Sequence, residues 1–205
     1  MMLVEVTAPD QGALPVAGLR DHLRLGTGFG MSEDAAETTA LAGYLRAAIA
    51  TIEARTGKVL LARQFRLKLD DWREPTGQPL PLAPVSSIDR VEIDNGLGQV
   101  TLLEAASYRL IPDMQRPVLA PLSAYLPVVP AQGLVTITFT AGFGVTWSAV
   151  PADLAQAVML LATRYHEDRS FENSQAAMPF GVSALIERWR AVRVLGGRSA
   201  TRRQP

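Results

Sequence analysis

The residues best suited to chemistry are His166, Glu167 and Asp168, consecutive near the end of a helical pattern. Successive helical positions point in different directions, so the three side chains do not converge on one ion or one substrate. The only other histidine is His22, and no HExxH-type spacing is present. Asp70-Asp71 supplies two carboxylates at a strand end, whereas magnesium needs several converging oxygens. Gly26-Thr27-Gly28-Phe29-Gly30 lacks the Gly-Lys-Ser/Thr ending and preceding strand of a phosphate loop, and reads as a connector. There is no GxSxG elbow, and no pair of carboxylates can be set for glycoside or phosphate chemistry. With no cysteine, thiolate chemistry and disulfides are excluded. These patterns predict a protein without catalytic, metal or cofactor residues.

Charge says where partners would bind. The 205 residues carry 20 acidic and 20 basic side chains, so the whole chain does not attract nucleic acid or anionic membrane electrostatically. All but two of the positive charges are arginine, the residue suited to bidentate ion pairs at interfaces. After Glu187 no acidic residue follows, and Arg188, Arg190, Arg193, Arg198, Arg202 and Arg203 make a basic end. That tail allows three readings: an arm that orders on an acidic protein partner, a DNA-backbone contact, or a solubilising end. The neutral remainder weighs against a dedicated DNA binder. Trp72, Trp147 and Trp189 sit near element ends and read as core or interface anchors; only Trp189 has basic neighbours. No apolar run reaches the ~18 residues of a membrane span, and MMLVEVTAPD lacks the basic-then-apolar order of a signal peptide.

The scaffold centres on residues 134–169. Val135, Ile137 and Phe139 alternate with Thr136, Thr138 and Thr140, which predicts a strand with one apolar face. Ala141-Gly142-Phe143-Gly144 ends it. Pro151 and Asp153 then mark a helix start, and Leu154, Val158, Leu161 and Tyr165 form its stripe. Residues 1–14 read as extended and loosely structured. A short helix follows over 15–25, with Val16, Leu19 and Leu23 on one face. A longer one spans 32–56, capped by Ser32, loaded with Glu33, Asp34 and Glu37, and closed by Gly57. Its Leu41, Leu45, Ala48 and Ile52 form one stripe, and Ala40, Ala47, Ala50 and Ala54 a face another helix can approach closely. Strands are predicted over 59–69, 87–93, 100–103 and 108–111, with Asp94-Asn95-Gly96 as a turn. The proline-rich segments 75–84 and 117–130 read as surface connections. A polar turn at 170–179 leads to a last helix through Val182, Leu185, Ile186 and Trp189. The expected class is α+β: a helical core of about four helices with an inserted antiparallel β-rich region. Its parts are 1–57 and 146–195 for the helical core, 58–145 for the insertion and 196–205 for a flexible basic tail.

The ordered series LPVAGLRDHLRL, YLRAAIATIEARTGKVLLARQF, LPLAPVSSIDRVEIDNGLG, SYRLIPD, VTITFTAGFG and VPADLAQAVMLLATRYHEDR resembles the head-to-tail connector (adaptor) proteins of long-tailed double-stranded DNA phages and gene transfer agents. The likeness covers about residues 14–193. It implies a structural virion protein made in the bacterial cytoplasm. Its copies would form a ring, usually a dodecamer, beneath the portal protein. The ring would pass double-stranded DNA without sequence-specific binding and support stopper or tail proteins. Carried over, portal docking would fall on Val182, Leu185, Trp189, Arg193, Arg198, Arg202 and Arg203. A cyclic assembly needs unlike patches to meet, and Met159 and Ala162, off the main stripe of their helix, are the candidates for subunit contact.

Overall fold

The computed structural model describes residues 1–25, 35–168 and 178–190. Gly26–Gly30, Ser32 with Glu33 and Asp34, most of the 170–179 turn, and Arg193, Arg198, Arg202 and Arg203 lie outside them. Four α-helices stand against two antiparallel sheets among the described residues, an α+β fold. The helices are α1 (Val16–His22), α2 (Ala35–Thr56), α3 (Ala152–Glu167) and α4 (Phe180–Ile186), the last continued by a 3-10 turn through Trp189.

The strands are β1 (Met2–Glu5), β2 (Arg63–Leu69), β3 (Gln78–Pro79), β4 (Val85–Asp94), β5 (Val100–Leu102), β6 (Tyr108–Ile111), β7 (Val118–Pro121) and β8 (Leu134–Ala141). The larger sheet runs β1-β2-β8-β4-β5 and the smaller β3-β7-β6. The alternating strand of 134–141 is thus the centre of the larger sheet. Its Val135, Ile137 and Phe139 are fully buried, opposite Leu69, Leu67 and Phe65 of β2. Phe65 and Phe139 stack with centroids 5.9 Å apart, an arrangement that adds to the area they bury.

On β4 the apolar residues Ile88 and Val91 are three apart, which breaks a two-residue period. The structure resolves the mismatch with a bulge: Ile88 faces Phe139 while Arg90 faces Thr138, leaving Asp89 as the extra residue. Its carboxylate accepts from Gln64, Ser87 and Thr140. The Asp94-Asn95-Gly96 turn joins β4 to β5, with Gly96 at φ +74° and Asn95 Oδ1 accepting from the Leu97 and Gln99 amides.

Two sequence expectations are corrected. Residues 1–14 are not loose: β1 forms a sheet edge against β2, and Leu14 is buried among the helices. The helical part therefore begins beyond residue 5, not at residue 1. The proline-rich 117–130 segment contains β7, the middle strand of the smaller sheet, with Leu119 fully buried. Pro117 and Pro121 flank the paired Leu119 and Ala120, so few ladder donors are lost.

Two buried clusters result. Helical side chains (Leu19, Leu41, Leu45, Ile52, Leu154, Val158, Leu161) make one; strand side chains around Leu67, Ile137 and Phe139 make the other. Each fully buried Leu or Phe contributes about 1.5–3 kcal/mol. Leu60 and Leu61 belong to the helical cluster although their neighbours Val59 and Phe65 belong to the sheet. The chain crosses between layers there.

Candidate functional site

Backbone and side-chain hydrogen bonds gather at that crossing, where 58–63 meets 141–144. Phe143 donates its amide to Leu60 O, Ala62 to Gly144 O and Gly142 to Pro84 O. Arg63 fastens α2 to the sheet. Its guanidinium lies 2.7 Å from Glu53 on α2 and 2.9 Å from Glu5 at the end of β1, and sits over the Phe65 ring. Glu53 also accepts the Leu60 amide at 2.7 Å. Burial works against the Arg63 charge, but the two carboxylates outweigh it and hold its pKa above the ordinary arginine value. Lys58, 1% exposed, donates to Gln115 Oε1 at 3.0 Å; burial pushes its pKa down and Asp113 opposes this. These buried charges are partnered within the subunit and tie loops to a frame. Nothing there places a nucleophile beside a base.

The second junction joins α3 to the C-terminal helix. Asp153, in the first turn of α3, accepts Trp189 Nε1 at 2.6 Å and lies 2.6 Å from Arg188 Nε. Trp189 also meets the Phe143 ring edge-on. Burial raises the Asp153 pKa, but the bonds from Trp189 and the Leu154 amide and the Arg188 charge outweigh it, so the carboxyl lies below its ordinary range. A depressed carboxylate stabilises the fold above the unfolded pKa of about 3.9 and loses that contribution as pH falls through the folded pKa. Asp153→Asn is therefore expected to cost about 1.5–3 kcal/mol at neutral pH. It should also remove an acid-induced red shift of tryptophan emission that sets in as pH falls below the unfolded carboxylate value of about 3.9. Fluorescence titration of the two proteins checks this.

Val182 is fully buried against the helical cluster, Leu185 is half-buried and Trp189 is engaged with Asp153. Val182 therefore spends its surface inside its own subunit and leaves none for portal docking. Ala162 is likewise fully buried in the helical cluster. Its methyl fills the subunit's own core and offers no surface to a neighbour. Met159 keeps partial exposure and packs beside Gly18. Ala40, Ala47, Ala50 and Ala54 are exposed along one face of α2. His166 meets the Tyr44 ring edge-on, and Arg164 pairs with Asp168. Asp71 caps the Trp72 amide. Among the described residues no group of three His, Cys, Asp or Glu could hold a metal ion. None of their helices is long and apolar enough to cross a membrane. The Arg63–Glu53–Glu5 and Asp153–Trp189 junctions were not among the sequence candidates. Their charged members carry no local spacing signal, because the partners are brought together only by the fold.

Comparison with solved structures gives the class. One chain in "Neck of empty GTA particle computed with C6 symmetry" is 57% identical, with TM-score 0.86, over 97% of this chain and 100% of that one. A chain in "Virion of native gene transfer agent (GTA) particle" is 56% identical, with TM-score 0.82 and the same coverage. A chain in "Neck of native GTA particle computed with C12 symmetry" is 54% identical, with TM-score 0.80, again over 97% and 100%. No protein-family profile and no curated protein matches the chain. The chain belongs to the family of gene transfer agent neck proteins. It is a structural protein of the head–tail neck of a phage-like particle.

Proposed function

We propose that this chain is the head-to-tail connector, or adaptor, of its particle. Copies close into a ring of twelve beneath the portal, extend the DNA channel and carry the stopper and tail proteins. The observation supporting this most is the whole-length likeness to a chain from a neck solved with twelvefold symmetry. The role is architectural and non-catalytic. The helical parts, up to 57 and from 146 to 195, form the ring body, and 58–145 is the insertion. Exposed Ala40, Ala47, Ala50 and Ala54, with Met159, contribute to contacts between copies. Each contact can be weak, because closing a ring makes the last ones intramolecular.

Portal docking is assigned to the surface around Leu185 and Trp189 and to the basic residues Arg193, Arg198, Arg202 and Arg203. The Asp153–Trp189 bond ties Trp189 to the first turn of α3. Deleting residues 196–205 is expected to abolish attachment to the portal in a co-sedimentation assay while leaving the circular dichroism spectrum unchanged. Undiminished attachment would refute the docking assignment. Steeply salt-dependent duplex binding lost with the same deletion would favour a nucleic-acid role for the tail.

A further inference from the structure

We propose that the two rims of the five-stranded sheet are the two halves of a second contact between neighbouring copies, beside the helical one, β1 of one subunit packing against the β4–β5 hairpin of the next. The proposal rests on the ring reading above and names the surface that builds it. Across the outer face of the sheet, register gives the row Met2–Lys68–Thr136–Glu92–Leu102 and beside it Val4–Arg66–Thr138–Arg90. Cross-strand partners share a face. The middle of that face is therefore threonine and charge. Its two ends are apolar. Met2, Val4 and Val6 are exposed at one rim; Leu97, Val100 and Leu102 at the other, with Leu97 at 83%.

Lone sheet edges are usually protected by lysine, proline or a covering loop, because an apolar open edge invites association. Here the pattern is reversed at both edges, and no described strand pairs beyond β1 or β5. A ring needs two unlike patches on opposite sides of the subunit, so that each copy offers one and receives the other. The rims meet that condition: they differ in sequence and are separated by three strands. Solved relatives spanning the whole chain come from necks with sixfold and twelvefold symmetry, which makes a second copy the occupant. The sheet's twist turns one rim relative to the other, so the seam is side-chain packing rather than a continued hydrogen-bonded ladder.

The chain has no cysteine, so introduced thiols report without background. In assembled rings, Val4→Cys combined with Leu102→Cys, treated with a short bis-maleimide, should give a ladder of covalent multimers. Each single variant should give none. Dimers from a single variant would mean that like rims meet and would overturn the proposal. Intact rings by electron microscopy without a ladder would overturn the rim contact and leave the ring standing. Absence of rings in the unsubstituted protein would overturn the ring reading and this contact with it. As a second approach, Val100→Lys with Leu102→Lys alters only exposed side chains. It should preserve the subunit's thermal midpoint and lose the ring population; rings that persist would contradict the proposal.

Discussion

Arg63→Ala is expected to destabilise the subunit by about 3–5 kcal/mol, the cost of leaving a buried charge without its partner. Arg63 is 8% and Glu53 12% exposed at the side chain, so water does not replace the lost guanidinium. Glu53 would keep only the Leu60 amide, and the Glu5 carboxylate would lose its ion pair with β2. The loss is comparable to the lower end of a domain's total stability, about 5–15 kcal/mol. Urea unfolding of the separated subunit measures it. The double variant Arg63→Met, Glu53→Gln should recover much of the loss, because the neutral amide keeps an acceptor for the Leu60 N–H with no charge left to desolvate. A change below about 1 kcal/mol for Arg63→Ala would place the pair among surface ion pairs.

Gly142→Ala is the second large effect, at about 2–6 kcal/mol from backbone strain and overpacking together. Gly142 has φ +136°, a region L side chains rarely adopt. A methyl group there would meet backbone, with Ala62 N at 2.5 Å and Leu61 C at 2.7 Å. Both residues belong to the crossing between helices and sheet, so neither can shift without opening the Ala62–Gly144 and Gly142–Pro84 hydrogen bonds. The expected result is a lower thermal midpoint with loss of assembled particles at the temperature where the parent protein assembles. A midpoint within a degree or so of the parent's would show that the crossing has slack.

Both sites show how far the sequence could be read. The strand at 134–141, the helix after Pro151 and the Asn95-Gly96 turn follow from local rules: alternation, helical spacing and a residue that accepts positive φ. Each needs only neighbours in the chain. β1 and β7 did not follow, because their pattern is short and their partners are distant: Leu3 faces Leu67, and Leu119 faces both Gln78 and Leu110. Ala162 shows the opposite error. It lies off the Leu154–Leu161 stripe in the sequence, yet α3 packs against both α2 and α4, which buries a wider face than one stripe. Val182 is buried where the apolar stripe of α4 packs on α3. The rims escaped notice because an exposed valine in a short strand carries no local signal. Only register separates the outer-face apolar rim from the Thr136 and Thr138 column between.

The proposed ring subunit of the particle neck can be looked for by cryo-electron microscopy of particles released from the producing cell. The expected result is a closed ring at the head–tail junction into which this fold fits subunit by subunit, β1 rim against β5 rim. Particles whose complete necks contain no density for this fold would contradict it.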